Sequence, residues 1–309
     1  MKRLVPALAS TALLALTACG SGAAAGDDGR LQVTASFYPL QWASERIGGD
    51  LVEVTALTKP GAEPHDLELT PKDVARMTGS DVVVYLSGFQ PAVDDAVANE
   101  AADAGLDVAA AADLGLDATD DDHADESPEE HAEHASGQDP HFWLDPVRFQ
   151  QVATAIGERF AAEDPANAAG YRANTEAVVA DLRTLDAEFE AGLASCESTE
   201  LVTAHTAFAY LAEQYGLSQE GITGISPDAE PDAAALRDLA ARVEQYGVTT
   251  VYSETLVSPA LAETLARETG ATVAVLDPVE GLTDASQGSD YLEVMRSNLE
   301  VLREGQGCR

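Results

Sequence analysis

Six histidines are spread over 309 residues, few enough to weigh one at a time. Three of them, His123, His131 and His134, fall in an acidic run. The other three stand apart. His65 lies in Gly61-Ala62-Glu63-Pro64-His65-Asp66, His141 in Asp139-Pro140-His141-Phe142-Trp143-Leu144-Asp145-Pro146, and His205 ends Leu201-Val202-Thr203-Ala204-His205. A single such histidine is more often structural than a ligand. Together with Asp277, in Leu276-Asp277-Pro278, they offer three imidazoles and one carboxylate. That set suits zinc, which takes four nitrogen or oxygen ligands in a tetrahedron; oxygen-rich sites suit manganese better. Glu254, in Tyr252-Ser253-Glu254-Thr255, is an alternative carboxylate, or a hydrogen-bond partner that orients a ligand histidine. Glu63, beside His65, is a further candidate.

The elements that must position these residues alternate between strand and helix. Residues 31–37, 51–57, 82–86 and 108–110 read as strands in the first half, with helices over 39–47, 71–77 and 91–104 between them. The second half repeats the pattern: strands over 200–204, 249–252 and 272–276, and helices ending at 215, 246, 269 and 303. Between the halves, Tyr171, Thr175, Val178, Leu182, Leu185, Phe189 and Leu193 recur at three- and four-residue spacing. They predict one helix over about 165–194, roughly 45 Å long at 1.5 Å per residue. The fold class expected is α/β: two lobes of parallel βα units joined by one long backbone helix, with a metal in the interlobe cleft. The lobes are expected at 31–145 and 196–309, with the helical region over 146–195. His65, His205, Glu254 and Asp277 then fall at or after carboxyl ends of strands, where open parallel sheets bind ligands.

Composition narrows the partners. Seventeen Lys and Arg against 54 Asp and Glu give a formal charge of −37, which argues against a nucleic-acid-binding protein. The segment from Asp117 to Asp139 holds ten acidic residues, no Lys or Arg, and the three remaining histidines. It reads as a loop, either a weak cation-capturing antenna or a solvated insertion. At the N-terminus, Lys2 and Arg3 precede an apolar stretch that ends in Leu16-Thr17-Ala18-Cys19. Residues 1–18 read as a signal peptide, Cys19 as a lipidation site, and residues 19–30 as a tether. That places the mature chain outside the cytoplasm, where Cys196 and Cys308 either form a disulfide or remain two buried thiols.

Several of these stretches, in this order, resemble the metal-binding solute-binding proteins of bacterial ABC importers, the cluster A-1 (cluster 9) family. They are Pro64-His65-Asp66 with Thr70-Pro71-Lys72-Asp73-Val74, Asp139 to Pro146, Ala204-His205-Thr206-Ala207-Phe208, Ser226-Pro227-Asp228-Ala229-Glu230-Pro231 and Leu276-Asp277-Pro278. The resemblance covers about residues 31–304 and implies the zinc-uptake type, because manganese-type relatives usually have Glu where this chain has His205. It implies His65, His141, His205 and Asp277 as Zn2+ ligands and a membrane permease as partner, with a metallochaperone as a possible further partner. It also implies a monomer anchored by lipid to the outer face of the cell membrane. The alternatives are a manganese-binding homologue or a metal-dependent surface adhesin. A zinc hydrolase fits less well: four protein ligands leave no open position for water. His131-Ala132-Glu133-His134 does not have the H-E-x-x-H spacing, and the P-loop and G-x-S-x-G motifs are missing. Deleting residues 117–138 is expected to leave the cleft's zinc affinity nearly unchanged while slowing zinc uptake or lowering total zinc bound. Stopped-flow and equilibrium titrations read this; unchanged rate and stoichiometry would rule out capture by the loop.

Overall fold

The structure, a computed structural model, describes residues 29–117, 137–229, 231 and 233–309. The signal segment, Cys19, most of the tether, His123, His131 and His134 lie outside the described residues.

Each half of the chain builds a four-stranded parallel sheet with the same wiring. In the first, β1 (Leu31–Ala35), β2 (Val52–Ala56), β3 (Val82–Tyr85) and β4 (Gly105–Asp107) lie in the order β2-β1-β3-β4. In the second, β5 (Glu200–Thr203), β6 (Ser218–Gly221), β7 (Thr250–Ser253) and β8 (Thr272–Val275) lie in the order β6-β5-β7-β8. All the strand pairs are parallel. The inner strand β3 is a run of valines because parallel strands are covered on both faces. Val82 and Val84 enter the main core, and Val83 packs on the opposite face with Met77, Val93 and Val97.

The connecting helices are α1 (Tyr38–Gly48), α2 (Pro71–Thr78), α3 (Pro91–Glu100), the single turn α4 (Ala109–Ala112) and α5 (Pro146–Glu163). They continue with α6 (Ala168–Leu193), α7 (Ala209–Tyr215), α8 (Ala233–Tyr246), α9 (Ala260–Thr269) and α10 (Tyr291–Gly305). Local chemistry sets their starts. Thr70 and Asp73 form a reciprocal capping box at α2, with Pro71 in its first turn. Asp145 caps α5 by accepting from the Val147 and Arg148 amides, again just ahead of a proline.

Helix α6 has 26 residues, about 39 Å. Its buried face carries Tyr171, Val178, Leu182, Leu185, Phe189 and Leu193, and these join a core that runs from Leu31 of the first lobe to Leu302 of the second. Arg46–Asp181 at 2.6 Å ties it to α1 and Arg296–Glu188 at 2.7 Å to α10. Both pairs are largely exposed, so packing rather than charge holds the helix in place. Cys196 and Cys308 are bonded, 112 residues apart in sequence. They tie the end of the chain to the entry of β5, where Gln306 also donates to the Glu200 carbonyl at 2.8 Å and accepts from the Tyr252 hydroxyl at 3.1 Å.

Two elements differ from the sequence reading. The strand expected over 108–110 is a helical turn, and β4 lies just before it at Gly105–Asp107. Four consecutive alanines favour helix, while Gly105 lets its strand approach the Val97 side chain closely. β6, Ser218–Gly221, escaped notice because an edge strand of Ser-Gln-Glu-Gly lacks the apolar alternation that signals a strand.

Helices α5 and α6 approach closely at Gly157, where an added Cβ would sit 1.9 Å from Thr175 Oγ1 and 3.0 Å from its Cβ. Gly157→Ala is therefore expected to destabilise the fold by about 1–3 kcal/mol, the usual cost of overpacking. Thr175→Ala added to it should recover part of the loss. Urea denaturation of the two single variants and the double variant reads the coupling; purely additive losses would contradict the packing assigned here.

Candidate metal centre

The three isolated histidines meet in the cleft between the sheets. His65 sits in the loop after β2, His141 just before α5, and His205 two residues past β5. The loop of His65 is pinned from below. Buried Gln90 donates to the Pro64 carbonyl at 3.0 Å and to Thr58 Oγ1 at 3.2 Å, and Thr58 in turn donates to the Ser36 carbonyl. The His65 ring stands edge-on to Phe89 at 4.7 Å, and His141 to Trp143 at 5.2 Å. Phe37 closes the same aromatic floor against both Phe89 and Trp143.

The fourth group is Glu280. Its Oε1 lies 3.2 Å from His65 Nε2, 3.2 Å from His141 Nε2 and 3.3 Å from His205 Nε2, and the last two nitrogens are 3.3 Å apart. A tetrahedron with zinc–ligand arms of ~2.0–2.1 Å has edges of about 3.3 Å. Four of the six edges of such a cage are thus already present at that length. His141 and His205 are fully buried and Glu280 nearly so.

Two carboxylates set the tautomers. Asp139 Oδ1 accepts both the His141 backbone N–H at 2.9 Å and its Nδ1–H at 2.7 Å. Glu254 does the same for His205, with Oε1 accepting the backbone N–H at 3.0 Å and Oε2 accepting Nδ1–H at 2.7 Å. A carboxylate can only accept, so Nδ1 carries the proton and each neutral ring turns an Nε2 lone pair inward. Two lone pairs facing each other at 3.3 Å repel unless a proton or a cation sits between them. The ionisation of the site reflects this. Burial disfavours charge on His141 and His205, but Asp139, Glu254 and Glu280 outweigh it and raise both histidines, His205 strongly. Burial likewise opposes ionisation of Glu280, but the three imidazoles outweigh it and hold its carboxyl well below the ordinary glutamate value.

Asp277 does not join this group, and Glu280 stands where the sequence reading placed it. Both Asp277 carboxylate oxygens are engaged, Oδ1 accepting from the Val279 amide at 2.8 Å and Oδ2 from the Ser286 hydroxyl at 2.7 Å. Burial raises its carboxyl above the usual aspartate value. The strand-end rule pointed to the first carboxylate after β8, but the chain makes one more turn before it reaches the site. The available signal was a second carboxylate three residues on, beyond an Asp-Pro turn starter. Glu254 orients His205. Glu63 accepts the backbone amides of His65 and Asp66 at 3.0 and 3.2 Å and stands 3.9 Å from His65 Nε2. Asp117, the first residue of the acidic run, forms an antiparallel bridge with Gln138, immediately before Asp139.

The family described as "Zinc-uptake complex component A periplasmic" matches residues 33–305. The high-affinity zinc uptake system protein ZnuA of Bacillus subtilis is 36% identical over 94% of this chain and 93% of its own. The zinc-binding lipoprotein AdcA of Streptococcus pneumoniae is 34% identical over 98% of this chain, which spans only 61% of that longer relative. The Zn(II)-bound ZnuA-like domain of AdcA superposes with a TM-score of 0.73 at 32% identity, covering 90% of this chain and 99% of the domain. The laminin-binding protein Lmb of Streptococcus agalactiae, described as bifunctional with adhesin and metal transporting activity, gives 0.77 at 31% identity, covering 89% and 99%.

The metal-free cluster should leave a pH signature. His141 and His205, with raised values, stabilise the fold below their ordinary value of 6.5, and this is lost as pH rises through their folded values. Glu280, with a depressed value, stabilises above its ordinary 4.5, and this is lost as pH falls through its folded value. Chelator-treated protein should therefore gain most from the cluster between pH 4.5 and 6.5. Urea unfolding followed from below pH 4.5 to above pH 6.5 should show Glu280→Gln flattening the profile; an unchanged profile would mean that these groups are not coupled.

Proposed function

The chain belongs to the zinc-uptake complex component A family, and we propose that it captures Zn2+ outside the cytoplasm and delivers it to the permease of an ABC importer. The observation that carries this reading is the convergence of three Nε2 atoms on one Glu280 oxygen, with four of the six edges of a zinc tetrahedron at their expected length. Zinc is the cargo, held by His65, His141, His205 and Glu280, with Asp139 and Glu254 fixing the rings. Three nitrogen donors favour zinc over manganese, which prefers an oxygen-rich octahedron. Four protein ligands also leave no position for an activated water, so the site stores and releases a cation rather than hydrolysing a substrate. Relatives described as a zinc uptake system protein and a zinc-binding lipoprotein support the same reading.

Loading exchanges protons for metal. Each zinc that enters must displace the protons that His141 and His205 hold more tightly than a free imidazole does. Anchoring follows from Cys19 in its lipobox-like setting and the short tether after it. No helix among the described residues is long and apolar enough to cross a membrane. A lipid on Cys19 would hold a monomer near its permease. The acidic run ending at Gln138 would concentrate cations beside His141.

The test is metal analysis with competitive titration of the purified mature chain. One tightly held zinc per chain is expected, with affinity that begins to fall above pH 6.5 on acidification. His205→Ala should cost more than the ~10–100-fold typical of losing an outer hydrogen-bond partner. Tight manganese without preference for zinc would overturn the assignment.

A further inference from the structure

Glu280 reaches the cleft through an unusual piece of backbone. Val279 adopts φ +57°, a left-handed conformation that a β-branched side chain disfavours. Its side chain is fully buried. Such strain persists only where the surroundings impose it, and here they do so from both sides. Asp277 Oδ1 accepts the Val279 amide, closing a tight turn around Pro278. Its other oxygen is held by Ser286. Asn298 clamps the Asp277 backbone reciprocally, its Oδ1 accepting the amide at 3.0 Å and its Nδ2 donating to the carbonyl at 2.7 Å. From across the cleft, Trp143 Nε1, two residues beyond His141, donates to the Pro278 carbonyl at 2.8 Å.

We propose that Asp277 is a positioning residue that sets the metal specificity of the site: its turn holds Glu280 as a single-oxygen ligand at tetrahedral distance from the three imidazoles. This deepens the zinc-capture reading and rests on it. The chemistry is direct. Zinc accepts four ligands in a compact tetrahedron, whereas manganese needs additional oxygens and a wider shell. A carboxylate free to swing would chelate through both oxygens or admit water, and either change favours the larger, oxygen-seeking ion. The strained Val279 and the link from Trp143 keep that freedom away. Asp277 therefore acts on the metal through Glu280 without touching it.

Cobalt(II) reports the geometry, because tetrahedral Co2+ absorbs intensely in the visible and five- or six-coordinate Co2+ only weakly. The mature chain would be compared with Asp277→Ala, Asp277→Asn and Glu280→Ala by cobalt spectrum, zinc affinity, and zinc–manganese competition. Asp277→Ala should lose most of the cobalt intensity and weaken zinc by about 10–100-fold, with a smaller effect on manganese. Asp277→Asn keeps an oxygen for the Val279 amide and should recover most of the intensity. If Asp277→Ala does not fold, Ser286→Ala, which strips one of the two partners of the carboxylate from a half-exposed position, should lose part of the intensity. An Asp277→Ala protein with the wild-type spectrum and wild-type selectivity, whatever its melting temperature, overturns the proposal, as does an unchanged Ser286→Ala spectrum where that variant stands in. Zinc binding that survives Glu280→Ala undiminished would instead defeat the zinc-cage reading itself.

Discussion

Two imidazole nitrogens held 3.3 Å apart with their lone pairs facing, and a buried carboxylate oxygen 3.2 and 3.3 Å from them, form an arrangement that needs positive charge at its centre. Protons can supply that charge, which is why both histidines are raised and the glutamate is depressed. A divalent cation supplies it better, because one ion satisfies all four donors at once. The rest of the molecule makes sense as the means of holding these atoms in place while the centre is empty of metal. Asp139 and Glu254 each grip a backbone amide and a ring nitrogen of one histidine. Phe37, Phe89 and Trp143 pack as an aromatic floor against the rings of His65 and His141, and the left-handed Val279 immediately precedes the glutamate.

This constraint also explains the architecture. The four converging donor groups come from four separate segments, two on each half of the sequence, and the fold must hold all of them at one point. Two parallel sheets with identical wiring put their carboxyl ends toward one cleft. Helix α6 runs along both lobes within one continuous core, close enough to α5 at Gly157 that a single methyl group would collide. The disulfide then fixes the chain end beside β5. A continuous core shared by both lobes opposes large relative motion between them.

Much of this was legible in the residues. The parallel βα order followed from strand and helix periodicity, and the long helix from the spacing of Tyr171 through Leu193. The three histidines stood out because they were few and lay at element ends. Glu254 was found as an alternative ligand, and the structure makes it the partner of His205. Glu280 was missed for a physical reason. The rule that ligands follow strand ends favours the nearest carboxylate, Asp277, and a left-handed valine cannot be foreseen from a residue type that disfavours it. The polar edge strand β6 was hidden similarly, because its stability comes from pairing with β5 rather than from apolar alternation. The charge of −37 spoke against nucleic acid but could not identify the site, since net charge does not say which imidazoles and which carboxylate converge.

The most direct test is a zinc-edge anomalous diffraction map of the loaded protein. A single strong peak about 2.0–2.1 Å from Nε2 of His65, His141 and His205 and from one oxygen of Glu280, with Asp277 still bound to the Val279 amide, is the predicted result. A zinc ion coordinated by Asp277, or one whose fourth ligand is water while Glu280 points away, would contradict it.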